Sequence, residues 1–210
     1  MNSDKKMNTL EKIHEAAKRE FMEKGFTAAS LRNIVKTAGV TTGAFYGYYK
    51  SKEELFDSLV GKQAAYVLQL FDTSLKEVRE LPGEEQTRQM KEISERGMAR
   101  LIDYMYENRD AFQLLILCAE GTKHEDFLHR LAEKETESSL AYIEVLRQEG
   151  ICVRAVHRKL IHIVSSGIFT AVFETIVHDM PIEEAREYIQ QLERFHTAGW
   201  EELLGVKFGE

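Results

Sequence analysis

Apolar residues near the start of the chain recur at steps of three and four, which is the period of one face of an α-helix. The first such stripe comprises Leu10, Ile13, Ala17 and Phe21. It predicts a helix over residues 9–24. Gly25 suits the end of that helix, because glycine readily adopts a positive φ.

Shorter helical patterns follow at close spacing. Ser30 is placed to cap a second helix that Gly39 ends, and Thr41 is placed to cap a third that ends near Tyr48. Ser51 is placed to cap a fourth. Three helices within about 40 residues, joined by a tight glycine-containing turn, indicate a helix-turn-helix unit. A generic helical bundle would show a similar pattern.

Beyond position 51 the pattern predicts longer helices, over about residues 51–81, 84–107, 108–120, 124–149, 154–178 and 179–204. With only two prolines in the chain, we expect an all-α protein. The penultimate helix is unusually apolar, and its Ser165-Ser166-Gly167 segment would let another helix approach closely. That helix fits either a dimer interface or an internal core.

Composition narrows the class of protein. The chain has 210 residues, of which 43% are hydrophobic, as in soluble globular proteins. No apolar run approaches the roughly 20 residues that span a bilayer, and the first residues lack the apolar core of a signal peptide. We therefore expect a cytoplasmic protein without membrane association, in which Cys118 and Cys152 are buried free thiols.

The charge is distributed unevenly. The formal net charge is -7, yet residues 1–52 hold 10 Lys and Arg against 5 Asp and Glu, whereas residues 53–210 hold 18 against 30. Residues 1–52 thus form a basic N-terminal segment, called the basic head below, and the rest of the chain is acidic. This distribution suggests that only the basic head binds an anion such as nucleic acid.

The short third helix carries an unusual outer face. At 100° per residue, Phe45 and Tyr49 point inward while Gly43 and Gly47 lie almost opposite. Glycine is favoured where a backbone must approach another surface closely, and the major groove admits a helix. Alternatively, Gly47 only frays the helix end and Gly43 is incidental.

A helix inserted in this way would place particular side chains on the DNA. Ala44 is expected to touch a thymine methyl group, and Thr42 a base edge or a phosphate. The side chains of Tyr46, Tyr48 and Lys52 are expected to reach phosphates. Because Gly47 has no side chain, readout of DNA shape would contribute to specificity.

These residues carry a family resemblance. The stretch TAGVTTGAFYGYYKSKEEL, together with the upstream FMEKGFTAASLRNIVKTAGV, resembles the helix-turn-helix signature of TetR-family transcriptional regulators over residues 9–56. The positions that match, in place or by close substitution, are Ala38, Gly39, Val40, Thr41, Gly43, Tyr46, Tyr49, Lys52 and Leu55. Two positions depart, because Tyr48 stands where the family often has His and Tyr49 where it has Phe.

The resemblance implies a DNA-binding domain over residues 1–52 and an effector-binding and dimerisation domain over 53–210. It implies a repressor that a small molecule releases from a palindromic operator, acting as a homodimer through its last two helices and needing no cofactor. The expected DNA-binding residues are Thr27, Ser30, Lys36, Thr41, Thr42, Gly43, Ala44, Tyr46, Gly47, Tyr48 and Lys52.

The effector is expected among the middle helices. Candidate contacts are mostly apolar side chains, although many of these will belong to the core: Tyr66, Leu70, Met98, Ile102, Met105, Phe112, Leu115, Leu146, Phe169, Phe173 and Glu174. In this set Glu174 could bind a cationic ligand, or it could pair with His178 one turn later.

The histidines do not predict a metal site. His124 and His129 are five residues apart, as are His157 and His162, whereas helical metal pairs are spaced by four. We interpret all four as surface or satisfied polar residues.

The sequence also bears on two other classes of function, an enzyme and a helical adaptor protein. An enzyme is not expected, because the sequence has no catalytic triad order, phosphate loop or zinc motif. A helical adaptor is the alternative, with the basic head binding an acidic protein partner.

Overall fold

The computed structural model describes residues 8–208, apart from the side chains at positions 84 and 87. The described residues form helices and no strands, so the predicted all-α class is confirmed. The helices are α1 (Thr9–Ala28), α2 (Leu31–Ala38), α3 (Thr42–Tyr46), α4 (Lys52–Arg79), α5 (Gly83–Glu107), α6 (Arg109–Leu117), α7 (Phe127–Gln148), α8 (Arg158–Val177) and α9 (Ile182–Leu204). The outermost residues of the two predicted domains, 1–7 and 209–210, lie outside this description.

The chain divides into two compact units. The first unit comprises the described residues up to Ala65 together with Asn108–Glu125, and the second comprises Tyr66–Glu107 with the described residues from Asp126 onward. The sequence suggests a single boundary between residues 52 and 53. The first unit instead includes the beginning of α4 and all of α6, which the chain reaches only after α5.

Local signals fix the ends of the first helices. Gly25 has φ 70° inside α1, where the helical path breaks, and Gly39 has φ 65° at the end of α2. The Oγ1 of Thr41 accepts a hydrogen bond from the Ala44 amide at 3.0 Å. The Oγ of Ser51 likewise accepts from the Glu54 amide at 3.2 Å. The predicted caps and stops of this region are therefore confirmed.

Aromatic rings fill the core of the first unit. The rings of Phe21, Phe26 and Phe56 lie 5.1–5.9 Å apart between centroids. Helix α6 packs on α1, and the amide of Phe26 donates to the carbonyl of Cys118 at 3.0 Å. These contacts make α6 part of the first unit. Burial also raises the pKa of the Cys118 thiol.

Asn108 stands where its side chain could cap α6, and Cys152 is expected to be buried, but the structure shows neither. Asn108 precedes α6 but makes no side-chain cap. Its Oδ1 instead accepts a hydrogen bond from Gln63 Nε2 at 3.3 Å. Cys118 is a buried free thiol as expected, whereas Cys152 is exposed because it lies in the segment between α7 and α8.

Helices α7 and α8 pack along each other in the second unit. The rings of Phe127 and Phe173 meet edge to face at 5.6 Å. Helix α8 is long and apolar enough to cross a membrane by length and composition alone, unlike the expectation from the sequence. Core and interface helices of soluble proteins share that composition, so the packing of α8 against α7 is the more informative observation.

Candidate nucleic-acid interface and ligand cavity

Helix α3 presents the two faces that the sequence predicts. Phe45 is fully buried and Tyr49 is nearly so, while Gly43 and Gly47 are exposed. The phenol rings of Tyr46 and Tyr48 are 55% and 48% exposed beside them. The outer surface is therefore backbone bordered by tyrosine hydroxyls.

The backbone does not require glycine at these two exposed positions. Gly47 has φ −72° and ψ −20°, which any residue adopts, and Gly43 is likewise outside the positive-φ region. A Cβ added at Gly43 would meet only Thr41 Oγ1, at 3.9 Å. Gly25 and Gly39, by contrast, have positive φ and are needed for the turns. The fold of the free protein therefore does not require glycine at position 43. This favours the interpretation that the backbone of α3 approaches a partner closely at this position.

The other predicted DNA-binding residues have varied surroundings. Thr42 and Lys36 are exposed and Ala44 is half-buried. The Ser30 Oγ accepts from the Asn33 amide at 3.4 Å. The Thr27 Oγ1 donates to the Glu120 carbonyl at 3.0 Å. The hydroxyls of Thr27, Ser30 and Thr41 thus have structural partners, and their DNA contacts stay predictions.

Lys52 has a structural role inside the first unit. Its Nζ donates to the carbonyls of Phe26 at 2.7 Å, Ala29 at 3.0 Å and Thr27 at 3.3 Å. The ammonium also lies 4.4 Å from the centroid of the Phe26 ring. The Phe26 carbonyl also accepts the Ala29 amide at 3.3 Å. The carbonyls of Thr27 and Ala29 lie at the C-terminal end of α1, where the helix offers no further amide donors, so the cation satisfies them and offsets the negative end of the helix dipole.

Replacing Lys52 by methionine is expected to lower the free energy of unfolding by about 1.5–3 kcal/mol, because charge-assisted hydrogen bonds to the three carbonyls are lost. Urea denaturation of the full chain would measure the change. The exposed Lys50 is the matched control, since Lys50→Met should change stability by less than about 0.5 kcal/mol. Equal stabilities of the two variants would contradict this role.

Two exposed basic residues beside the helix-turn-helix are not among the DNA-binding residues predicted from the sequence. Arg32 on the outer side of α2 and Lys50 just after α3 are both exposed. The signal for Arg32 was available in the sequence, since it lies at an outward position of the same helical pattern that turns Ile34 inward. Both residues are further candidates for phosphate contact.

The departure at Tyr49 has a structural explanation. Its hydroxyl lies 2.5 Å from His14 Nε2 and accepts a hydrogen bond from Ser58 Oγ at 3.1 Å. These residues belong to α1 and α4, so the hydroxyl links both helices to the segment after α3. Burial and the nearby Lys18 ammonium lower the pKa of His14, which leaves the imidazole neutral near pH 7.

The second unit encloses a cavity of about 1050 Å³. Four of the predicted effector contacts lie in its wall: Leu70, Met98, Ile102 and Phe169. Three others are core residues of the same unit: Met105, Leu146 and Phe173. The remaining apolar candidates do not line it. Tyr66 stacks on Tyr104 with centroids 3.8 Å apart, and Phe112 and Leu115 are buried in the first unit.

Glu174 lies in a shallow depression on α8 and pairs with His178 at 2.8 Å. Of the two roles that the sequence allows for Glu174, the structure shows the pairing with His178 one helical turn later. Other carboxyls occupy the cavity wall, at Glu135 on α7 and Glu193 on α9. Burial raises the pKa of Glu135 to about 7. Burial and the nearby charge of Glu95 raise that of Glu193 to about 7.

One hydroxyl in the cavity wall has no partner. Ser165 is 1% exposed, and its Oγ makes no hydrogen bond to the described residues. A buried unpaired hydroxyl costs about 1–3 kcal/mol. A ligand in the cavity would remove that cost by bonding to it.

The two units together define the class of protein. The first unit has the helix-turn-helix of a DNA-binding protein, and the second contains a ligand-sized cavity. The sequence profile described as "Bacterial regulatory proteins, tetR family" matches residues 13–59. Among curated relatives, the transcriptional regulator YhgD of Bacillus subtilis is 28% identical over 142 residues, 66% of this chain and 67% of its own length. The repressor AcnR of Corynebacterium efficiens is 26% identical over 120 residues, which span 57% of this chain and about half (52%) of the repressor. Residues 13–59 thus match the TetR-family DNA-binding domain, and the chain as a whole is similar to transcriptional regulators of that family.

Solved structures agree in fold over nearly the whole chain. A TetR-family member from Streptomyces coelicolor has a TM-score of 0.60 at 21% identity, covering 92% of both chains. A TetR-family structure from Syntrophomonas wolfei has a TM-score of 0.52 at 20% identity, covering 90% of this chain and 92% of its own. At such identities the likeness concerns the fold. The matched relatives are regulators and not enzymes.

Proposed function

We propose that the protein is a ligand-responsive repressor that binds a palindromic operator as a homodimer in the cytoplasm. The observation that carries this proposal is the bare outer face of α3, where Gly43 is exposed without a backbone reason. That face fits the close approach of a recognition helix to base edges.

Mobility shift with the DNA upstream of its own gene tests DNA binding by the full chain. We expect a specific shift that weakens steeply with salt, because exposed lysines and arginines release counterions from phosphates. A helical adaptor for an acidic protein would instead give no sequence-specific shift, and that outcome would overturn the repressor.

Two surfaces of the second unit support a homodimer. Ile163 on α8 and Phe195 on α9 are 65% and 73% exposed, which is unusual for large apolar side chains. Gly167 and Gly199, on the same two helices, have open space where a side chain would stand and no positive φ. Apolar faces with such glycines suit close packing against a second copy.

The cavity is the proposed effector site. Its wall combines apolar side chains with polar and charged ones, and Ser165 supplies a hydroxyl in need of a partner. Helix α4 carries Lys52 at one end and Leu70 in the cavity wall. An effector that displaces α4 would therefore act on the helix that follows the DNA-reading segment.

Charge in the cavity favours an effector with a cationic group on an apolar body. Within the described residues, Glu135 and Glu193 form no ion pair, and both are partly withdrawn from water. The lysine and arginine side chains of the wall, in contrast, are exposed to solvent. One of them, Arg186, pairs with Asp103 at 2.8 Å. The wall's other charged or titratable groups are Arg79, Lys91, Glu95, Tyr142, Arg194, His196 and Glu201.

Tetraphenylphosphonium is expected to bind at least about 10-fold more tightly than the similarly shaped anion tetraphenylborate, because a cation stabilises buried carboxylates. Calorimetry with the full chain would measure both affinities. Glu135→Gln should weaken phosphonium binding while Glu187→Gln, an exposed change on α9, should not. Tighter binding of the borate would overturn the cationic class without touching the proposed DNA binding.

Acidification should weaken the same complex. A carboxyl with a pKa near 7 is mostly ionised at pH 8 and mostly protonated at pH 6, so loss of its charge lowers cation affinity by up to about 10-fold per group. Protonation of His196 would act in the same direction; burial lowers its pKa. Phosphonium titrations at the two pH values check the sign, and tighter binding at pH 6 would contradict it.

A further inference from the structure

A cluster of two histidines and one glutamate lies where α7 packs on α8. His129 and Glu133 are one helical turn apart on α7, and His162 comes from α8. One ligand atom from each of the three lies within 4.8 Å of the others. The two imidazole rings meet edge to face, with centroids 5.2 Å apart. The sequence spacing could not show this cluster, because its members come from two helices.

The distances fit a small tetrahedral cation. Zinc binds imidazole nitrogen at about 2.0–2.1 Å and carboxylate oxygen at about 2.0–2.2 Å, so neighbouring ligand atoms lie about 3.3 Å apart. His162 Nδ1 is already 3.0 Å from Glu133 Oε1. Small side-chain rotations would bring His129 to the same point. All three residues are exposed or half-buried, so a metal ion can enter from solvent.

The contact between His162 and Glu133 is short but poorly aligned as a hydrogen bond. The Nδ1 atom is buried and has no partner that meets the angular criteria of a hydrogen bond, although the carboxylate oxygen lies 3.0 Å away. We therefore do not count this contact as a hydrogen bond, because a hydrogen bond requires a favourable angle as well as a short distance. A metal ion placed off the line between the two atoms would bind both lone pairs.

Arg158 holds the carboxylate in place for this role. Its Nη2 lies 3.1 Å from Glu133 Oε2 and also pairs with Glu137. The other oxygen, Oε1, remains on the side of His162. Outer groups that orient a ligand in this way typically improve metal affinity about 10- to 100-fold.

We propose that His129, Glu133 and His162 form a zinc-binding site with water in the fourth position. Two imidazoles and a carboxylate are donors that zinc accepts, and zinc sites with an open position commonly have three protein ligands and a water in the fourth position. None of the three residues lines the ligand cavity or belongs to α3, so the proposed zinc site does not depend on the proposed repressor function.

Zinc calorimetry and cobalt absorption on the tag-free full chain test the site. We expect one zinc per chain, and a tetrahedral cobalt spectrum that zinc abolishes. His162→Ala should weaken zinc binding at least about 100-fold, since loss of even an outer-shell partner costs about 10- to 100-fold. Glu133→Gln should also weaken it, with α-helical circular dichroism showing that both variants fold.

His178→Ala is the matched control. His178 also pairs with a glutamate, Glu174, at 2.8 Å, but no second histidine joins that pair in the described structure. Its loss should leave zinc affinity unchanged. Equal zinc affinities in the wild type and in the His162→Ala variant, or an octahedral cobalt spectrum in the wild type, would overturn the site.

Discussion

Gly43→Leu should lower operator affinity at least about 100-fold, which corresponds to about 2.7 kcal/mol. The added side chain would stand between the backbone of α3 and the base edges. In the free protein the same side chain has room, because a Cβ at this position meets only Thr41 Oγ1 at 3.9 Å. Leucine also favours helix over glycine by up to about 1 kcal/mol, so thermal stability should be retained or raised.

Fluorescence anisotropy with operator DNA and a thermal melt would separate these effects. Gly43→Ala should give a smaller loss of affinity, because one methyl group needs less space. The exposed Ala65 of α4 offers a matched control, and Ala65→Leu should bind DNA normally. Tight, specific binding by the Gly43→Leu protein would refute the close-approach explanation.

Local chemistry explains why the sequence predicted the first helices of the chain well. The hydroxyls of Thr41 and Ser51 cap the helices they precede, and Gly39 takes the positive φ expected of it. These signals act over three or four residues, so they can be recognised without knowledge of the fold. The inward turn of Phe45 follows from helix periodicity in the same way.

Long-range packing explains what the sequence could not predict. Helix α6 is separated from α1 by the whole of α2 to α5, yet Lys18 pairs with Asp110 at 3.0 Å and Phe26 bonds to Cys118. Apolar residues on α6 therefore look equally suitable for either unit in the sequence. Phe112 is a predicted effector contact for that reason, and it is buried in the first unit, which does not contain the cavity.

The candidate sites show the same limit. Apolar periodicity identifies Leu70 and Phe169 in the cavity wall, but core and cavity residues have the same composition. The carboxyls of Glu135 and Glu193 give no signal in the sequence, because their burial depends on how α7 and α9 pack. The environment of a charged group, more than its place in the chain, determines whether it can bind a ligand.

Glutamate at both Ile163 and Phe195 should convert the proposed dimer to a monomer and lower operator affinity by about 10²–10⁴. Two charges in an apolar interface would have to lose their hydration without a partner. A monomer would also lose the effective concentration that linked half-site binding provides. Sedimentation velocity and anisotropy would measure the two losses. Leu192 and Leu203 are also apolar residues of α9 but are half-buried, so their variants risk unfolding the helix.

Leu117→Glu is the matched control, because it places the same charge at an exposed leucine of the first unit. That variant should remain dimeric. If the double variant also stayed dimeric, the copies would have to meet through another surface, and the exposed glycines of α8 and α9 would need a different explanation. If it became monomeric yet bound operator with undiminished affinity, the palindrome and not the dimer would be wrong, since a single recognition helix would then suffice for the site.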